Sequence, residues 1–220
     1  MNSLPVPLLA TAAIVTGCST GTLTAGTPPQ QAADGARADA LVQVAQNIYN
    51  QEVSGSVGRS QVRRILRDRV LDRAIADGNR KALRAEALRQ LFMPGKHVVR
   101  LRVMSARPPG HVLTDVGGRF VVGDEVGVLR APDGRELGRV EISMQDVLGY
   151  RKLVNRLVGA QIVVRGRPGH VETSLPAVPT MSLPGSGTVT LDGQSYVVRE
   201  FHERGFGQES LSVWLLVPSA

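Results

Sequence analysis

The sequence predicts an α+β fold in which N-terminal helices pack on an antiparallel sheet interrupted by one inserted helix. Three observations carry that expectation. Between Ala38 and Phe92 the apolar residues recur at helical spacing. From Val98 onward they alternate, in short runs separated by Gly-containing turns. One stretch, Gln145 to Gly159, returns to the helical period between strands. No regular alternation of strand and helix with Gly-rich turns is present, which argues against a doubly wound parallel sheet.

The first helix carries Leu41, Val44, Ala45 and Ile48 on one stripe, with Tyr49 beside it, and SGSVG (Ser54 to Gly58) breaks it. Ser60 is placed to cap a second helix with Val62, Ile65, Leu66 and Val70 on its apolar face, ended by Asp77-Gly78-Asn79. On its charged face Arg64 can pair with Asp68 across one turn. A third helix, with Leu83, Ala87, Leu88 and Leu91, stops at Pro94-Gly95. HVVRLRVMSA then alternates, with Val99, Leu101 and Val103 on one face and Val98, Arg100, Arg102 and Met104 on the other. HVLTDVGGRFVV holds two short strand pieces around Gly117-Gly118, and the next hairpin turns at Pro132-Asp133-Gly134. The inserted helix opens at Asp146 and closes at Gly159. AQIVVRG and a segment around Val171 are strands, and Ser174 to Gly187 is a Pro/Ser-rich loop. A hairpin turning at Asp192-Gly193 and the strand SLSVWLLVP complete the sheet.

At 220 residues the chain can bury one sizeable core, and with aromatics at 4% that core must be mostly aliphatic. The formal charge is +7, and nearly all of the 26 basic residues are arginine. They are spread over helices and strands without a nucleic-acid motif, which argues against a nucleic-acid partner. His97, His111, His170 and His202 stand at no metal-ligand spacing. No Walker pattern, G-x-S-x-G or G-x-G-x-x-G after a strand is present. The expectation is therefore a domain without cofactor or catalysis.

The single cysteine, Cys18, cannot close a disulfide within the chain. It follows a short apolar run, Leu8 to Val15, and the small residues Thr16 and Gly17; Met1 to Pro7 carries no Lys or Arg. Val15-Thr16-Gly17-Cys18 resembles the lipobox of bacterial lipoproteins. That resemblance implies a signal peptide over residues 1–17, lipidation of Cys18 and anchoring at the extracytoplasmic face of the cell membrane; a plain cleaved signal is the alternative. Residues 18–37, poor in charge and rich in Gly, Thr, Ala and Pro, read as a flexible tether, and 38–218 as one globular domain.

Arg100 and Arg102 share one face of a strand expected at the centre of the sheet. If both faces are covered, these cations need anionic partners, since an unpaired buried charge is costly. A ligand carboxylate gripped by a guanidinium fork is one such partner. Tyr150 and Lys152 on the inserted helix, and Tyr196, are candidates to converge on the same pocket.

The helical lead-in ending LFMPGKHVVRLRVMSARPPGHVLTDVGG, the hairpin running into GRVEISMQDVLGYRKLVNRLVGAQIVVRG, and the C-terminal strands together resemble the single Cache domain, an extracytoplasmic PAS-like sensor module. The resemblance implies a curved antiparallel sheet packed on a long helix, with a small molecule bound over the other face. The function expected is lipid-anchored small-molecule binding or sensing, with a membrane sensor or transporter as partner. The alternatives are a lipoprotein subunit that docks on a membrane protein, and an enzyme with a dispersed site.

Overall fold

The computed structural model describes residues 28–106, 110–176, 178 and 181–219. Cys18, the signal peptide and the first ten residues of the expected tether lie outside the described residues. Among the described residues five α-helices and nine strands follow one another, helices first as predicted, but the strands divide between two sheets rather than sharing one. Helix α1 spans Pro28–Ser54, α2 Ser56–Ile65, α3 Arg69–Ala76 and α4 Arg80–Phe92. Strands β1 (Arg100–Ser105), β2 (Val112–Gly117), β3 (Glu125–Arg130) and β4 (Glu136–Ser143) form an antiparallel sheet in the order β2-β1-β4-β3. After helix α5 (Val147–Val158) come β5 (Gln161–Arg165), β6 (Val171–Thr173), β7 (Ser186–Leu191), β8 (Gln194–Arg204) and β9 (Ser210–Pro218), in the order β6-β5-β9-β8-β7.

Each sheet has its own core. Leu101, Val103, Val116, Leu129, Val140 and Ile142 of the first sheet meet Ile65, Leu71, Leu83 and Ala87 of α2–α4. Val164, Val213, Leu215, Val217 and Phe201 of the second meet Ala45, Tyr49, Tyr150 and Val154 of α1 and α5. This partition corrects the single-sheet expectation. Alternation along a strand specifies which residues share a face, but not which strand lies beside it. Alternation also overstates one strand: Phe120 to Val122 forms no ladder, and Val121 makes an isolated bridge to Asp146.

The helices differ from expectation in two places. α1 begins at Pro28, so residues 28–37 of the expected tether are helical. Pro is favoured at a helix start and the following alanines have the highest helix propensity, so low charge was the wrong signal for flexibility there. Arg199 on β8 ties this turn down, donating to Asp39 at 2.5 Å and to the Gly35 carbonyl at 3.4 Å. The buried line of α1 runs through Ala38, Ala45 and Tyr49, leaving Val44 exposed. The second expected helix is two, because Asp68 accepts from the amides of Val70 and Leu71 at 2.9 and 3.2 Å and starts α3 afresh. Its carboxylate pairs with Arg89 at 3.1 Å rather than with Arg64, which turns to Gln61 and Gln90.

The remaining boundaries follow local chemistry. Asn79 and Asp146 cap α4 and α5 by accepting from Ala82 and Gly149 amides at 3.0 and 2.6 Å. Gly159 ends α5 with φ +71°. Asp192 and Gly193, both at positive φ (51° and 79°), close the β7–β8 hairpin. Among the described residues no helix is long and apolar enough to cross a membrane.

Glu203, near the end of β8, is half-buried, and burial raises its carboxyl above the usual carboxylate range. A raised folded value means that its stabilising share is complete below the unfolded pKa of about 4.3 and is lost as pH rises through the folded value. Glu203→Gln keeps the neutral shape at all pH. Its melting temperature is expected to exceed wild type at pH 7 and to match it near pH 4; a gap independent of pH in thermal melts would contradict this.

Candidate functional site

Arg102 occupies the centre of the first sheet with an acid opposite it on both neighbouring strands, Asp115 on β2 and Glu141 on β4. This register pairs opposite charges across the ladder. Arg102 donates from Nε to Asp115 at 3.0 Å and from Nη1 to Glu141 at 3.2 Å. Arg100 holds Asp115 in a fork, Nε to one oxygen at 3.0 Å and Nη2 to the other at 2.9 Å, and its Nη1 donates to the Arg119 carbonyl at 3.2 Å. Both guanidiniums lie over the ring of Phe206, at 4.5 and 4.8 Å from its centroid. The face that carries them is thus covered, by the turn joining β8 to β9 in the second sheet. The cations are partnered within the chain.

That turn is built for close approach. Gly207 has φ +64°, and a Cβ there would lie 2.4 Å from Nη1 of Arg102. Its amide donates to Asp124 at 2.9 Å, and Tyr49 donates to the Arg204 carbonyl at 2.6 Å while accepting from the Gly123 amide at 2.9 Å. The electrostatics follow burial first. Burial pushes Asp115 up, but hydrogen bonds and charge from Arg100 and Arg102 outweigh it and hold the carboxyl below its usual range. Glu141 goes the other way: burial, with the Asp124 carboxylate, raises it beyond what Arg102 offsets.

Beside this network, where β1, β2 and α4 meet the turn between β5 and β6, opens a cleft of about 610 Å³. It is lined by Arg84, Arg100, Arg119, Arg167, His170 and Asp115, together with Gly117 and Gly118 at the end of β2. The β5–β6 turn presents the second wall: the Gly166 amide donates to the His170 carbonyl at 3.0 Å, and Gly169 turns the chain at φ +84°. His170 packs on Phe120, ring centroids 4.9 Å apart, and accepts at Nδ1 from Arg167 Nε at 3.3 Å. Arg84, Arg119 and Arg167 are exposed. Such a wall can take up an oxyanion through charge-assisted hydrogen bonds.

The five side chains expected to converge do not do so. Arg100 lines the cleft, while Arg102 stands behind it in the ion-pair network. Tyr150 is fully buried in the second core and donates to the Ala45 carbonyl at 3.1 Å. Lys152 is exposed and lines a different cleft, of about 400 Å³, with Glu52, Gln145 and Arg156. Tyr196 lies on β8 and packs at the edge of the cluster that holds Val163, Val198, Trp214 and Leu216, on the second-sheet face opposite α1. Val178 and Leu183 of the Pro/Ser-rich loop pack on that face, so an apolar cluster that includes Trp214 fills the place where a ligand-binding pocket was expected. Helical or alternating spacing shows which residues share a face, not whether that face is covered or which of the three apolar clusters receives it. Arg84, Arg119, Arg167 and His170 were missed. The turn sequence Arg167-Pro168-Gly169-His170 was the one local signal for two of them.

Helices packed on two antiparallel sheets define the class, a mixed α+β fold. The periplasmic domain of Vibrio cholerae LuxQ is similar, with a TM-score of 0.54 at 10% identity over 82% of this chain and 99% of that one. More distant are two chemoreceptor ligand-binding domains. That of Pseudomonas aeruginosa PctC, in complex with GABA, has a TM-score of 0.41 at 14% identity over 84% and 99% of the two chains. That of Pseudomonas fluorescens CtaA, in complex with L-isoleucine, has 0.42 at 13% identity over 87% and 96%. At these identities the likeness is one of fold, and no site residue transfers. No family model matches the sequence, and no curated protein matches it.

Proposed function

We propose that this chain is an extracytoplasmic binding or sensing domain for a small anionic molecule, without catalysis, held at the cell membrane by lipid on Cys18. The observation that carries the reading is the cleft whose walls bring Arg84, Arg119, Arg167 and His170 toward one another from three separate parts of the chain. Open cations of this kind, gathered at a seam between two packed units, suit capture of a carboxylate or phosphate. The PAS-like fold supports sensing, and Val15-Thr16-Gly17-Cys18 supports the anchor.

Arg119→Ala and Arg167→Ala test the site directly. Each removes a charge-assisted contact of about 1.5–3 kcal/mol, so each is expected to weaken anion binding roughly 10- to 100-fold in calorimetric titration. Both side chains are exposed, so the unliganded melting temperature should stay within about 2–4 °C of wild type. Unchanged affinity in both variants would remove the cleft from the reading. Mass spectrometry of the membrane fraction tests the anchor: an unmodified Cys18 would overturn the localisation and leave the cleft untouched.

A further inference from the structure

The charges around the cleft do not balance, and the imbalance specifies the ligand. Arg100 and Arg102 are matched by Asp115 and Glu141 through the bonds described above. Both oxygens of Asp115 are taken, one by Arg100 Nε and the other shared by Arg100 Nη2 and Arg102. Three guanidinium charges are left over on Arg84, Arg119 and Arg167. Arg84 reaches a backbone carbonyl, that of Asp115, at 3.5 Å, and Arg167 reaches the His170 ring. No ion pair is made by any of the three among the described residues.

All 19 acidic residues of the chain lie among the described residues, and Asp115 is the one that lines the cleft. Glu209 stands behind the β5–β6 turn, where its Oε1 accepts from the Arg167 amide at 2.7 Å and lies 3.7 Å from His170 Nδ1. A ligand ammonium group would therefore find no carboxylate free to receive it. It would instead meet three uncompensated cations, and like charges brought together cost affinity.

We propose that the cleft selects small dianions that carry no amino group, a dicarboxylate or a phosphate, and rejects zwitterionic amino acids. This rests on the anion-binding reading above. The discrimination comes from the absent counter-charge rather than from shape.

Titration calorimetry of the full chain at low salt, in a buffer free of phosphate, tests it with four probes: succinate, inorganic phosphate, L-aspartate and acetate. L-aspartate keeps the dicarboxylate of succinate and adds the ammonium, so that pair isolates the point at issue. Succinate or phosphate is expected to bind at least tenfold tighter than L-aspartate and acetate, and to weaken as salt is raised. Which of the two is tighter identifies the source of the charge. L-aspartate binding as tightly as succinate, or succinate and phosphate binding no tighter than acetate, would overturn the selectivity while leaving the anion site in place. Absence of binding by all four would overturn both.

Discussion

Tyr150→Ala is expected to destabilise the domain by about 3–5 kcal/mol, the scale for truncating a large side chain in a core. Tyr150 is fully buried, and its ring meets that of Tyr49 edge to face, with centroids 5.3 Å apart and an interplanar angle of 84°. Through this contact and the hydrogen bond to the Ala45 carbonyl it joins α5 to α1, the two helices that cover the second sheet. Tyr150→Phe separates the two contributions. It keeps the ring and loses the hydroxyl, so it should cost only about 1 kcal/mol. Urea denaturation of both variants is the measurement. A loss below about 1 kcal/mol for the alanine variant would mean that the core tolerates the cavity, contrary to this packing.

Asp115→Ala should cost about 3 kcal/mol at neutral pH, the lower end of the range for removing one partner from a buried ion pair. Its side chain is 27% exposed, and those of Arg100 and Arg102 are 12% and 19% exposed, so two largely buried guanidiniums lose their shared acceptor. The effect has a pH signature. Asp115 has a depressed carboxyl in the folded state, so its contribution is complete above the unfolded value of about 3.9 and is lost as pH falls through the folded one. The deficit of Asp115→Ala relative to wild type should therefore shrink below about pH 4. Denaturation curves at pH 7 and pH 3 test this, and an equal deficit at both would assign the loss to packing instead. Because Asp115 also lines the cleft, its removal uncovers Arg100 there, and succinate affinity should rise rather than fall.

Much of the local structure was legible because it has local causes. Asn79, Asp146 and Gly159 terminate helices through their own side chain or backbone freedom, and Asp192-Gly193 turns a hairpin by accepting positive φ. Ser60, read as a helix cap, lies inside α2, and Asp68 was a second exception. It was read as an ion-pair partner on a continuous helix, and it instead caps a new one because its carboxylate competes for the amides of Val70 and Leu71. Of the site, Arg100 was legible from its place among alternating apolar residues. Arg119 and Arg167 were not, since two exposed arginines 48 positions apart carry no sequence mark of their meeting.

By itself the sequence determined the order of helical and strand segments, the inward face of most of them, and that Arg100 and Arg102 would need anionic partners if their face were covered. These depend on spacing of 3.6 or 2 residues and on the cost of burying charge, both readable along the chain. Only the tertiary structure decided that the strands form two sheets and that Asp115 and Glu141 answer those arginines. It alone brought the Phe206 ring against both guanidiniums and the β5–β6 turn to the same cleft as β2. The physical reason is that strand neighbours and contacts between separate cores are non-local. They are chosen by how whole faces pack, a property that no window of sequence contains.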